Sequence, residues 1–189
     1  PIDRSTLMRW GDRGAAALGP IYQLLLDDLR RTRVLGMDET PLPQLDPGRG
    51  KVKTGYLWTL MRDPRNYAGN EAPCAVFKYA GSRAGLNAEE MLDGFSGKLH
   101  VDAYAGYNRL TAFDRSGGPV ELSYCWAHVK RKFVEIMRTG KNDLAAECIR
   151  LIDAMFKIER DIKGEPALVR QATRQLETQS IVDEIFELM

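Results

Sequence analysis

"GMDETPL", Gly36 to Leu42, sets two acids side by side where an apolar run gives out. The preceding "RTRVLGMD" climbs from basic residues into a short apolar stretch and stops on Asp38. The following "ETPLPQLDPGRG" holds three prolines and two glycines, a composition expected to end any regular element. This pattern predicts Asp38 at the C-terminal tip of a strand, where open α/β sheets present groups to a ligand.

Upstream, "DRSTLMRWGDRGAAALGPIYQLLLDDLRRTR" predicts two helices, the first capped by Asp3 or Ser5 and the second opened by Pro20. In the second, Ile21, Leu24, Leu25 and Leu29 fall at helical spacing. Downstream, "KTGYLWTLMRD" and "APCAVFKYAG" predict two strands, with turn chemistry in "DPRNYAGNE" between them. "NAEEMLDGF" predicts a short helix capped by Asn87, "GKLHVDAYAGY" a fourth strand ending at Asp102, "GYNRLTAF" a short helix, and "GPVELSYCW" a fifth strand. From about Ala127 the chain reads as helical, broken in two by Gly164-Glu165-Pro166.

Three strands in a meander followed by βα units predict an α/β fold: a mixed five-stranded sheet with helices on both faces. In the ribonuclease H-like arrangement of this order, strands one and four lie side by side and parallel. The implied organisation is an N-terminal helical segment (1–33), a core (34–135) and a C-terminal helical insertion (136–189).

Composition bounds the function class without naming it. The chain has 189 residues, 44% hydrophobic and 28% charged, with net charge +1, so its overall charge selects no partner. Cys74, Cys125 and Cys148 are odd in number and widely spaced, which suggests reduced thiols in a cytoplasmic protein. No apolar run approaches the roughly 18 residues of a membrane span. The chain starts without Met and stops inside a helical pattern, as expected of a piece of a longer protein.

If strands one and four are neighbours, Asp38 and Asp102 converge at one end of the sheet. Two anionic groups so close repel unless a cation lies between them, and Mg²⁺ suits hard oxygen ligands while leaving room for water and phosphate. Taken singly, an Asp after an apolar strand is a turn former or helix cap. It is the pair that points to metal-assisted phosphoryl chemistry.

"MDETPL", "KVKTGYLWTLMRD", "VDAYAGYNRL" and "YCWAHVKRKFVE" together resemble the central domain of the insertion-sequence-66 family of bacterial transposases, in register from about Ser5 to Glu135. The resemblance implies a DDE-type catalytic domain with a ribonuclease H-like core and DNA cleavage and joining that depend on Mg²⁺ or Mn²⁺. It makes Asp38 the first catalytic acid and Asp102 the second, with Ala103 where glycine is more usual. It implies DNA partners (element ends and target), a homo-oligomer in a synaptic complex and accessory proteins of the same element, with no membrane. The family's third acid follows the helical insertion in an Asn-rich stretch, which is expected beyond Met189; Glu135, 33 residues past Asp102, is the alternative within the chain.

The remaining candidates have two readings each. Cys125 and His128 form a Cys-x-x-His pair, too few ligands for structural zinc. They are a buried thiol beside a bonded His, or His128 faces the scissile phosphate as a catalytic residue. Lys130, Arg131 and Lys132 form a solvated basic face or, for Lys130 and above all Arg131, contact the DNA backbone. In "GRGKVKTGYLW", Lys51 and Lys53 are DNA candidates, while Trp58 reads as core. Two rivals remain to the transposase reading. One is a non-catalytic DNA-binding or assembly module left by truncation. The other is a stand-alone nuclease of the same fold.

Overall fold

The computed structural model describes residues 2–66 and 69–189. The chain divides into two compact units, one running to Arg62 and including Pro73–Ser123, the other made of Asp63–Ala72 and Tyr124–Met189.

The first unit is built on a five-stranded sheet of order β3-β2-β1-β4-β5. Its strands are β1 (Val34–Asp46), β2 (Lys51–Arg62), β3 (Cys74–Ala80), β4 (Lys98–Val101) and β5 (Glu121–Tyr124). β2 pairs antiparallel with both β1 and β3, which completes the expected meander. β1 also pairs with β4, in parallel, from Val34↔Lys98 to Gly36↔His100. The expected adjacency of strands one and four is therefore observed, and the sheet is mixed.

β1 departs from the expectation. It does not stop at Asp38 but continues to Asp46 through Pro41 and Pro43, paired throughout with β2. Being two residues apart, the two imide nitrogens face the same side of the strand. That side is the edge left open where β4 stops, so no ladder hydrogen bond is lost. The chain reverses instead at Pro47–Gly50, where Gly48 (φ 85°) and Gly50 (φ 59°) adopt the left-handed conformation that glycine tolerates.

α1 is a single helix, Arg4–Arg30, where two were expected. Asp3 caps it, accepting from the Thr6 amide at 2.8 Å. Pro20 sits inside it, and the Ala16 carbonyl that loses a partner lies on an exposed stretch where water can replace it. Leu26 and Leu29 are buried against the sheet, whereas Ile21, Leu24 and Leu25 are exposed despite their helical spacing. Arg30 pins the end of α1 by donating to the Glu90 and Met91 carbonyls at 2.8 and 2.9 Å, the last turn of α2 (Leu86–Met91). α2 starts at Gly85 rather than on Asn87, whose side-chain amide donates back to the Ser82 and Ala84 carbonyls. Leu35, Trp58, Leu60, Leu92, Phe95, Leu99 and Leu110 fill the core.

The second unit is helical: α3 (Trp126–Thr139), α4 (Asp143–Asp161), α5 (Ala167–Thr173) and α6 (Gln179–Leu188), with a π-helical turn, Arg174–Thr178, joining the last two. The break at 164–166 is present, and a second one falls at Gly140–Asn142. There Asn142 caps α4 through the Ala145 amide at 2.8 Å. Leu151, Ile152, Met155 and Ile185 form its core, flanked by Trp126, Val129 and Phe133. Of the expected turn at 63–71, Pro64–Asn66 form a short 3₁₀ helix, while Tyr67 and Ala68 lie outside the described residues. Among the described residues no helix is long and apolar enough to cross a membrane.

Candidate functional site

β4 ends at Val101, so Asp102 is the first residue past its tip. Continuing the β1–β4 register by two positions sets Asp38 level with Asp102 on adjacent parallel strands. Adjacent strands run about 4.8 Å apart. The charges of both carboxylates bear on the same phenol, that of Tyr107. Each acid is steadied by a local amide: Asp38 Oδ1 accepts from Glu39 N at 3.0 Å, and Asp102 Oδ1 accepts from Tyr104 N at 2.9 Å. Asp38 is exposed and the Asp102 side chain is 20% exposed, so both remain open to a ligand.

Beside the pair lies a group that sequence reasoning missed. Glu39, opposite Trp58 on β2, has a fully buried side chain. Burial pushes its carboxyl up, while hydrogen bonds from Tyr107 and Arg83 oppose that rise. The Tyr107 hydroxyl donates to one Glu39 oxygen. Arg83 takes the other, with Nε at 2.6 Å and Nη2 at 2.5 Å, and its Nη2 lies 3.6 Å from Asp102 Oδ2. The guanidinium also stacks 4.0 Å above the Tyr104 ring, whose hydroxyl donates to the Arg83 carbonyl at 2.6 Å. Burial pulls the Arg83 pKa down, but the hydrogen bond and charge of Glu39, with Asp102 adding, hold it above its ordinary value. Tyr107 is raised as well, by burial first and then by Glu39 and the two aspartates, and stays a neutral donor.

The loop that carries Arg83 fits because Gly85 has no side chain. A Cβ there would lie 2.1 Å from the Gly106 carbonyl oxygen. Arg83 and Glu39 are 44 residues apart, so spacing could not join them; the available signals were the acid next to Asp38 and the glycine-flanked "GSRAG". Among the described residues no group of three or more His, Cys, Asp or Glu side chains is placed to hold a metal.

The family profile described as "Transposase IS66 family" matches residues 1–189. The chain belongs to that family. Three relatives come from Sinorhizobium fredii (strain NBRC 101917 / NGR234). The chain is 36% identical to "Uncharacterized protein y4jD" over 97% of its length and 31% identical to "Uncharacterized protein y4qI" over 99%. It is 29% identical to "Uncharacterized protein y4hP" over 98%. It spans about a third of the length of these relatives: 36%, 35% and 36%.

Within this IS66-family chain the other sequence-picked residues divide between the two units. Lys51 and Lys53 are exposed at the turn end of the β1–β2 hairpin. Lys53 lies six strand positions from Thr59, the partner of Asp38, which is about 20 Å along the sheet. Trp58 is fully buried, edge-on to Tyr107. In the second unit, α3 carries His128, Lys130, Arg131 and Glu135. Lys130 pairs with Asp153, and Glu135 pairs with Lys132 at 3.0 Å, while Arg131 is exposed. His128 Nδ1 is buried without a hydrogen-bond partner. Cys125 takes the N-cap position of α3 without a side-chain capping bond, and all three cysteines are free thiols.

Proposed function

We propose that this chain is the strand-cleaving and strand-joining core of an IS66-family DNA transposase, with a ribonuclease H-like sheet and Asp38 and Asp102 as its first two catalytic acids. What supports this reading is the parallel β1–β4 register, which, continued two positions past Gly36↔His100, brings Asp38 level with Asp102 just beyond the tip of β4. Family membership supports it independently. The sheet order β3-β2-β1-β4-β5, with only the β1–β4 pair among the paired strands described as parallel, supports the fold assignment.

The two carboxylates suit one Mg²⁺ or Mn²⁺, which keeps several waters and accepts phosphate oxygens. When bound, such an ion supplies an activated oxygen nucleophile and stabilises the leaving oxygen of an in-line displacement. Asp38 and Asp102 would hold the ion. Glu39 fixes Arg83, and Arg83 offsets part of the repulsion that two level acids would otherwise feel. A two-ion site needs a further carboxylate. The rival, a DNA-binding module without catalysis, predicts a chain that binds no divalent ion at this pair.

The test uses Asp38→Asn and Asp102→Asn. Asn keeps the size of Asp but removes a full charge from the ligand set. Strand transfer by the full-length variants should fall by orders of magnitude, and Mn²⁺ bound to residues 1–189, read by paramagnetic resonance, should weaken. Folding stability should hold or rise, more for Asp38→Asn, because Asp102→Asn also takes a partner from Arg83. Wild-type strand transfer by either variant would refute the assignment.

A further inference from the structure

The second unit contains a cleft lined by Asp63, Arg65, Phe156, Glu159, Arg160, Lys163 and Arg170. Four cations face two carboxylates there, and both carboxylates are already engaged. Asp63 accepts from Arg65 through both oxygens, at 2.7 Å each. Glu159 does the same for Arg174, at 2.6 and 2.7 Å. Arg160, Lys163 and Arg170 therefore form a cationic group without a salt bridge among the described residues. Among the described residues nothing accepts a hydrogen bond from the side chain of any of them.

Arg170 is the informative member because it is only 5% exposed. Its guanidinium has no hydrogen-bonded acceptor among the described residues, and none of its nitrogens is sealed from solvent, so they open onto the cleft. Buried polar groups in native proteins are normally satisfied by protein, water or an ion. The charge of Glu159 reaches Arg170, but both its oxygens are occupied by Arg174. What remains is a cavity wall with the planar Arg170 fork and two further cations at the rim, while the two carboxylates of the lining are held by Arg65 and Arg174. A phosphate group has the matching chemistry: several anionic oxygens, recognised by arginine in a fork.

We infer that this cleft is a phosphate-binding site, with Arg170 as the buried anchor and Arg160 and Lys163 as rim contacts. The phosphate comes either from a nucleic-acid backbone or from free phosphate. The site belongs to the second unit and does not depend on the function proposed above.

The test compares residues 1–189 with Arg170→Met, which keeps the side-chain bulk and removes the charge. Thermal unfolding is followed in anion-poor buffer, then with rising inorganic phosphate, and binding to a labelled duplex is titrated at several salt concentrations. Without phosphate, Arg170→Met should be at least as stable as the wild type, because a charge without a salt bridge has gone. A merely structural arginine would instead leave the variant less stable. Phosphate at 100 times its Kd should raise wild-type stability by about 2.7 kcal/mol and leave the variant unchanged.

If the source is DNA, the variant should bind duplex about tenfold more weakly, with the salt slope reduced by about one. Protection by inorganic phosphate without any change in duplex binding identifies free phosphate as the source. The inference is overturned if Arg170→Met is destabilised in anion-poor buffer, or if neither phosphate nor duplex distinguishes it from the wild type. Loss of strand transfer on Asp38→Asn has no bearing on these readouts, so the two readings fail separately.

Discussion

Replacing Tyr107 with Phe isolates one bond at the candidate site. Tyr107 is 1% exposed, and its ring meets Trp58 edge-on at 6.2 Å and Tyr104 at 5.9 Å. Phe keeps both contacts. What is lost is the hydroxyl that donates to the buried Glu39 carboxylate, which then has only Arg83 on its other oxygen. A hydrogen bond to a charged group contributes about 1.5–3 kcal/mol, so the variant should be about 2 kcal/mol less stable. At 2–4 °C per kcal/mol for a chain of this size, Tm should fall by about 4–8 °C. In a Glu39→Gln background the acceptor is neutral and the bond is worth about 1 kcal/mol. The same substitution there should therefore cost roughly half as much. Urea unfolding followed by Trp fluorescence gives all four corners of the cycle, since Trp58 lies against Tyr107. A loss below about 0.5 kcal/mol, or an equal loss in both backgrounds, would show that the hydroxyl does not hold Glu39.

Leu29→Ala should cost about 2–5 kcal/mol, because Leu29 is fully buried where α1 meets the sheet. Leu18→Ala, on the exposed part of the same helix, should stay within about 0.5 kcal/mol in the same urea titration. Gly85→Ala should lower stability by about 1–3 kcal/mol, since its Cβ would lie 2.1 Å from the Gly106 carbonyl. Displacement of Arg83 should then show as a smaller Tyr107–Glu39 coupling in the same cycle. Hydrogen bonds from Arg174 hold the Glu159 carboxyl below its ordinary value, against a smaller opposing effect of burial. Its stabilisation is therefore complete above the usual carboxylate range and lost as pH falls through the depressed value. The stability gap between wild type and Glu159→Gln should close on acidification, and a gap that widened instead would contradict the pairing.

The sheet order was legible because strand signals depend on local alternation and aromatic content, and the order of elements restricts how they pair. The extent of β1 was not. A proline interrupts a strand or is tolerated according to which neighbour its nitrogen faces, and that is known only once β4 is seen to stop short of Pro41. Pro20 misled for a similar reason, because an exposed helix lets water take over the carbonyl that proline leaves unpaired. Of the proposed acids, Asp38 and Asp102 stood out in the sequence through their positions after apolar runs. Glu39 did not, because its role depends on an arginine and a tyrosine brought in by loops that meet only where Gly85 allows. The cleft around Arg170 left no trace in the sequence. Its cations come from a 3₁₀ turn and from the ends of two helices, and an arginine's burial has no local signature.

The two prolines of β1 also limit what can approach the site from the side. Beyond Gly36 the strand has a free flank that would ordinarily recruit another strand, from this chain or a neighbour. Pro41 and Pro43 remove two amide donors from that flank, so a visiting backbone finds no continuous ladder to extend. Any ligand lying there has to be gripped by side chains rather than by a backbone ladder. Strand addition along this flank of β1 is thereby disfavoured, so the stretch beside Asp38 is kept out of an extended sheet.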